Sequence, residues 1–238
     1  MPTPVLSLRG LRRTYGDVVA LDGLDLDVAP GECVALIGHN GSGKTTAMRL
    51  AAGQLEPTAG RVTVAGVDLH QATDAHRARA QLSFVPDNPV LYADLTVGEH
   101  LELVALAHGV GGEAGDRAAA LLDALSLTGR RDFLPPQLSR GMRQKAQLAC
   151  ALVRPFEVLL LDEPVVGLDP PSQATLHELL RSLKADGAGV LLTTHQLGFT
   201  AGLADRAVVL SDGRVVDAGP YRRVVAGSAA RELGLRSR

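Results

Sequence analysis

The chain has 238 residues, 46% of them hydrophobic and 21% charged, with a formal net charge of -2 at pH 7. Such a composition argues against disorder and suffices for one core with a smaller attached lobe, while the longest apolar runs, such as Val158 to Leu161, fall far below the roughly 18 residues of a spanning helix. The near-neutral charge gives no electrostatic footprint for nucleic acid; "MPTPVLSLRG" does not read as a secretory signal; and Cys33 and Cys150, without metal or redox spacing, read as reduced cytosolic thiols and small core residues.

In chain order, "VLSLRGLRRTYG" and "VVALDGLDLDVAPGE" alternate apolar and polar residues and predict antiparallel strands joined near Gly16 and Asp17. A buried strand follows, Cys33 to Ile37, and then the glycine-rich stretch "GHNGSGKTTAMRL". Gly38, Gly41 and Gly43 frame a short loop between that strand and a helix, leaving amide N–H groups bare beside the positive end of the helix dipole. Such a nest suits a multiply charged anion, and a triphosphate is the expected guest. The spacing Gly38-x4-Gly43-Lys44-Thr45 fits the P-loop pattern at every fixed position: Lys44 is expected to reach the β- and γ-phosphates and the Thr45 hydroxyl to ligate Mg²⁺.

Beyond the P-loop helix, "GRVTVAGVDL" predicts two short strands and "QLSFVPD" a strand ending at Pro86. From Thr96 to about Thr128 the pattern turns to Ala- and Leu-rich helices broken at "GVGGEAG", and a further helix runs from Ser139 to Val153, which suggests a helical lobe inserted into an α/β core. The aliphatic run of "VLLLDEP" predicts a strand buried on both faces of a parallel sheet. Carboxylates at its end require a cation or donors to meet them, so Asp162 is expected to hold the Mg²⁺ of the P-loop and Glu163 to polarise an attacking water; an Asp capping the next turn is the plainer alternative. "AGVLLTTHQL" supplies another buried strand, ending at His195; taken alone that histidine reads as a loop residue, although a neutral imidazole there can contact a γ-phosphate. "VVLSDGRVV" predicts a hairpin around Asp212 and Gly213, and the basic tail with Arg231, Arg236 and Arg238 reads as a solvated end.

Taken together, "GHNGSGKTT" (Walker A), "LSRGMRQK" (signature), "VLLLDEP" (Walker B), "GLDP" (D-loop) and "TTHQ" (H-loop) follow one another as in the nucleotide-binding subunit of an ABC transporter, which the chain resembles over nearly its whole length. The resemblance implies a P-loop NTPase core with a parallel sheet, an N-terminal antiparallel β subdomain and an inserted α-helical subdomain. It implies a single domain, with the core at about 1–86 and 157–238 and the helical lobe at about 87–156. It further implies that Tyr15 stacks on adenine, that Gly38, Asn40, Gly41, Ser42, Gly43, Lys44, Thr45 and Thr46 cradle the phosphates, and that Ser139, Gly141 and Asp169 contact the nucleotide bound by another protomer. Glu163 and His195 then stand at the base and switch positions, ATP and Mg²⁺ are the cofactors, and two copies form two sites. Ser139 and the Gly141 amide begin a helix whose dipole favours a γ-phosphate, and Ser139 is also an ordinary N-cap.

Two departures stand out. Asp87 occupies the place where the family usually carries a glutamine; it can still ligate Mg²⁺, or it is a surface carboxylate without a role. Arg140 and Met142 replace a glycine and a glutamine of the signature, and with "LYADLTVGEHL" they resemble the export branch, whose permease is a separate membrane protein. The implied partners are a second copy and membrane permease subunits, with no nucleic acid, at the cytoplasmic face of the membrane. A chromosome-type ATPase interrupts the Walker segments with a long coiled coil, whereas Lys44 and Asp162 are 118 residues apart here without sustained heptads. A translation-factor type carries two cassettes, and a non-hydrolysing module is disfavoured by Glu163 and His195.

Overall fold

The computed structural model describes residues 3–70 and 75–234; of the basic tail, Arg236 and Arg238 lie outside the described residues. The first strands follow the alternation of the sequence. β1 (Leu6–Tyr15) pairs antiparallel with β2 (Val18–Val28), and Leu6, Leu8, Leu21, Leu24 and Leu26 face inward. The alternation slips after Leu8, and the register slips with it: Leu8 opposes Leu26, but Leu11 opposes Leu24. The extra residue is a β-bulge that returns Leu11 to the buried face, and Gly10 N–H within it donates to Asp25 Oδ1 at 2.7 Å.

β3 (Cys33–Ile37) is buried throughout and runs into α1 (Lys44–Ala51). β4 (Ala59–Val64) joins the other edge of β1 and carries β5 (Val67–Asp68), giving an antiparallel sheet of order β2-β1-β4-β5. After α2 (Ala75–Ala80) and β6 (Leu82–Val85) come three helices, α3 (Val97–Ala107), α4 (Ala114–Ala124) and α5 (Arg140–Leu152). The chain then alternates β7 (Val158–Asp162), α6 (Pro170–Ala185), β8 (Gly189–Thr194), α7 (Leu197–Thr200) and β9 (Arg206–Ser211), and ends with β10 (Arg214–Pro220), α8 (Tyr221–Val225) and α9 (Ser228–Glu232).

The second sheet has the order β10-β9-β3-β8-β7-β6; β9, β3, β8 and β7 are parallel neighbours, and β10 closes one edge as an antiparallel hairpin. Every residue of β3, β7 and β8 is buried, which explains the aliphatic runs at their centres. Each fully buried Leu or Val there contributes about 1.5–3 kcal/mol. Cys33 and Cys150 are both buried, and burial pushes each thiol up to about 12.

By its internal contacts the chain divides into two compact units. One comprises the chain through Phe84, Phe156–Glu163 and the segment from Leu180 onward; the other comprises Val85–Pro155 and Pro164–Leu179. Within the second, α3 starts with a capping box: Thr96 Oγ1 accepts from Glu99 N–H at 3.2 Å while Glu99 Oε2 accepts from Thr96 N–H at 2.7 Å. Arg117 of α4 donates twice to Leu152 O, at 3.1 and 2.9 Å, and so satisfies a carbonyl at the end of α5.

Candidate active site

The phosphate loop is assembled between β3 and α1. Gly43, immediately before the helix, has φ 102°, and a Cβ there would lie 2.6 Å from Ala20 O, so conformation and space both demand glycine. Having no side chain, Gly43 leaves the leading N–H groups of α1 uncapped at the positive end of the helix dipole. Lys44 folds back over the loop, only 6% exposed, and its Nζ donates to Gly38 O at 2.9 Å and His39 O at 3.1 Å. The Ser42 hydroxyl is buried without a hydrogen-bond partner among the described residues. A bare helix start, a buried ammonium and an orphaned hydroxyl together fit a polyphosphate anion. Asn40, Gly41 and Thr45 are exposed, Thr46 is half-buried, and the turn after β9 braces the loop through Gly213 N–H donating to Ser42 O at 3.0 Å.

The carboxylates come from the end of β7. Asp162 is the last residue of the ladder, opposite Thr193 of β8, and Glu163 then turns off at φ 49°. A left-handed conformation in a non-glycine residue costs about 1–3 kcal/mol, so the surroundings must hold it. They do so at both ends of the residue. Glu163 N–H donates to Thr193 Oγ1 at 2.9 Å, and the Glu163 carboxylate meets Lys44 Nζ at 3.7 Å and His195 Nδ1 at 3.0 Å. Because a carboxylate only accepts, Nδ1 of His195 carries the hydrogen of that bond. Thr193 also donates to Asp162 Oδ1 at 2.5 Å. Lys44, Asp162, Glu163 and His195, all singled out in the sequence, are thus one connected cluster in the first unit, and Thr193, which sequence reasoning passed over, joins them. It opens the "TTHQ" stretch, where two hydroxyl residues end the otherwise aliphatic strand "GVLLTT".

Tyr15, at the end of β1, is 45% exposed, and the Arg13 guanidinium lies 4.6 Å from its ring centroid. The remaining residues singled out belong to the second unit. Ser139 is the N-cap of α5, its Oγ accepting from Met142 N–H at 3.2 Å. Gly141 passes so close to the loop before α6 that a Cβ would lie 2.6 Å from Gly167 O. Asp169 Oδ1 accepts from Ser172 N–H at 2.9 Å and caps α6; hydrogen bonds from Ser172 hold its carboxyl below the usual range. Asp87 is half-buried and accepts from Asn88 Nδ2 at 3.2 Å.

Among known proteins, residues 21–166 match the ABC transporter family. A Nod factor export ATP-binding protein I from Ralstonia nicotianae is 38% identical over 224 residues, which cover 94% of this chain and 69% of the relative. A daunorubicin resistance ATP-binding protein from Streptomyces coeruleorubidus is 40% identical over 222 residues, covering 92% and 69% of the two chains. A solved ATP-binding subunit of an ABC transporter superposes with a TM-score of 0.86 at 36% identity, over 98% of this chain and 95% of that one. A phosphate loop backed by paired carboxylates, on a chain alike in sequence and fold to these proteins, has one meaning: the chain belongs to the ABC transporter family and is one of its ATP-binding cassettes.

Proposed function

We propose that this ATPase subunit cleaves ATP at the Glu163 cluster, with Glu163 preparing the attacking water, His195 orienting Glu163, and Lys44 meeting the β- and γ-phosphates. The observation that carries this reading is the convergence of Lys44 and His195 on one nearly buried carboxylate, at 3.7 and 3.0 Å. A carboxylate is a proton acceptor, and fixed partners on either side keep it aimed at the water from which it would take the proton. The amides at the start of α1 and the Ser42 hydroxyl take the remaining phosphate oxygens. Tyr15 offers the adenine an exposed aromatic ring.

Thr45 and Asp162, both in the first unit, are the residues that would hold Mg²⁺, since hydroxyl and carboxylate oxygens are the hard donors this cation takes. Bound there, the ion would supply positive charge that offsets the negative charge developing on the phosphate. Ser139, Gly141 and Asp169 complete the site of a second copy, the start of α5 favouring the γ-phosphate, so a head-to-tail homodimer closes two equivalent sites.

Separate integral membrane permease subunits are the proposed partners, with this subunit bound to them at the cytoplasmic face; no helix of the described residues is long and apolar enough to cross a membrane. The relatives named for Nod factor export and drug resistance support export as the direction. A net charge of -2 supports no nucleic-acid partner.

Glu163→Gln is the test of the chemistry. It should keep ATP binding and lose most hydrolysis, because an amide fits the site but takes no proton; turnover near the wild-type rate would remove Glu163 from the role of base. Copurification with a membrane protein that raises ATP turnover when its cargo is added tests the transport role.

A further inference from the structure

We propose that Thr193 is the positioning residue of the catalytic pair, its single hydroxyl setting the backbone of Glu163 and the carboxylate of Asp162 together. The inference rests on the reading of Glu163 as the base. Thr193 is fully buried at the C-terminal end of β8, directly opposite Asp162 in the parallel ladder. Its Oγ1 accepts from Glu163 N–H at 2.9 Å and donates to Asp162 Oδ1 at 2.5 Å. A hydroxyl has one hydrogen, and the carboxylate oxygen can only accept it. The chain of bonds therefore has one direction, from Glu163 N–H to Oγ1 and from Oγ1–H to Asp162.

The ladder explains why a side chain is required at this point. β7 and β8 pair from Val158 opposite Gly189 to Asp162 opposite Thr193, and the ladder stops there because Glu163 takes φ 49°. The Glu163 N–H, buried and directed out of the strand geometry, is met by the hydroxyl instead of a backbone carbonyl. Fixing that N–H fixes the turn, and the turn decides whether the Glu163 carboxylate arrives between Lys44 and His195. The bond to Asp162 ties the neighbouring carboxylate to the same atom. Among the described residues Thr193 makes no hydrogen bond to Lys44 or His195, so it acts through the two acids.

Three substitutions at the position separate the hydroxyl from the packing. Thr193→Val keeps the branched shape that suits a buried strand and removes the hydroxyl; Thr193→Ser keeps the hydroxyl, and Thr193→Ala removes both it and the methyl. The expected result is turnover within about threefold of wild type for Ser and at least about tenfold lower for Val and Ala. Equilibrium binding of a fluorescent ATP analogue should stay within about twofold in all three, because the phosphate loop is untouched. Should the Val variant fold poorly, the Ala and Ser pair still differ only by the hydroxyl. Equal turnover in Ala and Ser, or wild-type turnover in Val, overturns the proposal.

A double-mutant cycle gives the second readout. If Thr193 works by placing Glu163, then Thr193→Val should not further reduce the residual turnover of Glu163→Gln, whereas a general structural defect would reduce it by the same factor in both backgrounds. An equal reduction overturns the positioning role while leaving Glu163 as base. Wild-type turnover in Glu163→Gln alone removes the underlying reading instead.

Discussion

His195 Nδ1 lies 3.0 Å from Glu163 Oε2, joining two residues 32 positions apart in the chain. The imidazole stands just after β8 and the carboxylate just after β7, so the bond crosses from one strand end to its neighbour. The His195 side chain is nonetheless 46% exposed. Removing the ring should free the carboxylate from one of its two partners. His195→Ala is expected to lower ATP turnover by at least about tenfold with little change in ATP affinity. Steady-state turnover measured beside a binding titration checks this, and an affinity loss as large as the rate loss would assign His195 to binding instead.

Lys44 should behave in the opposite way. Its ammonium bonds two loop carbonyls and faces Glu163, and the role proposed for it is to meet phosphate oxygens. Charge-assisted hydrogen bonds contribute about 1.5–3 kcal/mol each, so Lys44→Ala should weaken ATP binding by roughly 10- to 100-fold. Calorimetric titration with ATP measures it, and unchanged affinity would exclude Lys44 from the phosphate site.

Substitution can separate the observed cap role of Ser139 from the γ-phosphate contact proposed for it. As the N-cap of α5 it supports the helix, and Ser139→Ala should cost about 1 kcal/mol in a denaturant titration. Aspartate is an equally good cap, so Ser139→Asp should retain stability. It would place a negative charge against a γ-phosphate, however, and turnover should fall by at least about tenfold. Retained turnover in the aspartate variant would leave Ser139 as a cap alone.

Sharing of each site between two copies predicts complementation. Lys44→Ala damages the phosphate loop, and Gly141→Asp damages the signature, where even a Cβ would press on Gly167 O at 2.6 Å. Mixed dimers have one site with both defects and one with neither. A mixture of the two inactive variants should therefore recover part of the wild-type turnover, and none should return if each chain forms a complete site by itself.

The two cysteines give a prediction about pH. Burial raises both thiols to about 12, above the value each takes in the unfolded chain, so the native state holds these protons more tightly. The unfolded state releases them first as pH rises. Their contribution to stability is fully present below about 8.5 and is lost between there and about 12. Native protein at pH 8 should resist a thiol-titrating reagent, both cysteines should react after denaturation, and fast native labelling of either would contradict their burial.

Much of the molecule was legible as pattern. The first hairpin, the strands β3, β7 and β8, the signature helix with its Ser139 cap and the turn at Asp212 and Gly213 follow the expected periods and turn residues. Helix α6 is hidden in the sequence, since "PPSQATLHELLRSLKA" opens with two prolines that resemble a loop. They occupy the first helical positions, where a missing N–H costs nothing, and Asp169 caps the turn before them. The slip in β1 at Gly10 was equally hidden, since a bulge shows itself only against a partner strand.

The sequence by itself determined the glycine-rich loop between β3 and α1, because its geometry is local: a strand end, glycines at set spacing, a lysine and a helix start lie within a few residues of one another. It likewise placed two acids at the end of a buried strand. Only the tertiary structure decided that Glu163 turns at φ 49° between Lys44 and His195 and that Thr193 holds both acids. Those contacts depend on β8 lying between β3 and β7 and on the register that sets Asp162 opposite Thr193. Parallel strand order and register are settled by burying whole faces of the sheet against helices, an energy summed over many side chains, and no short stretch of sequence carries it.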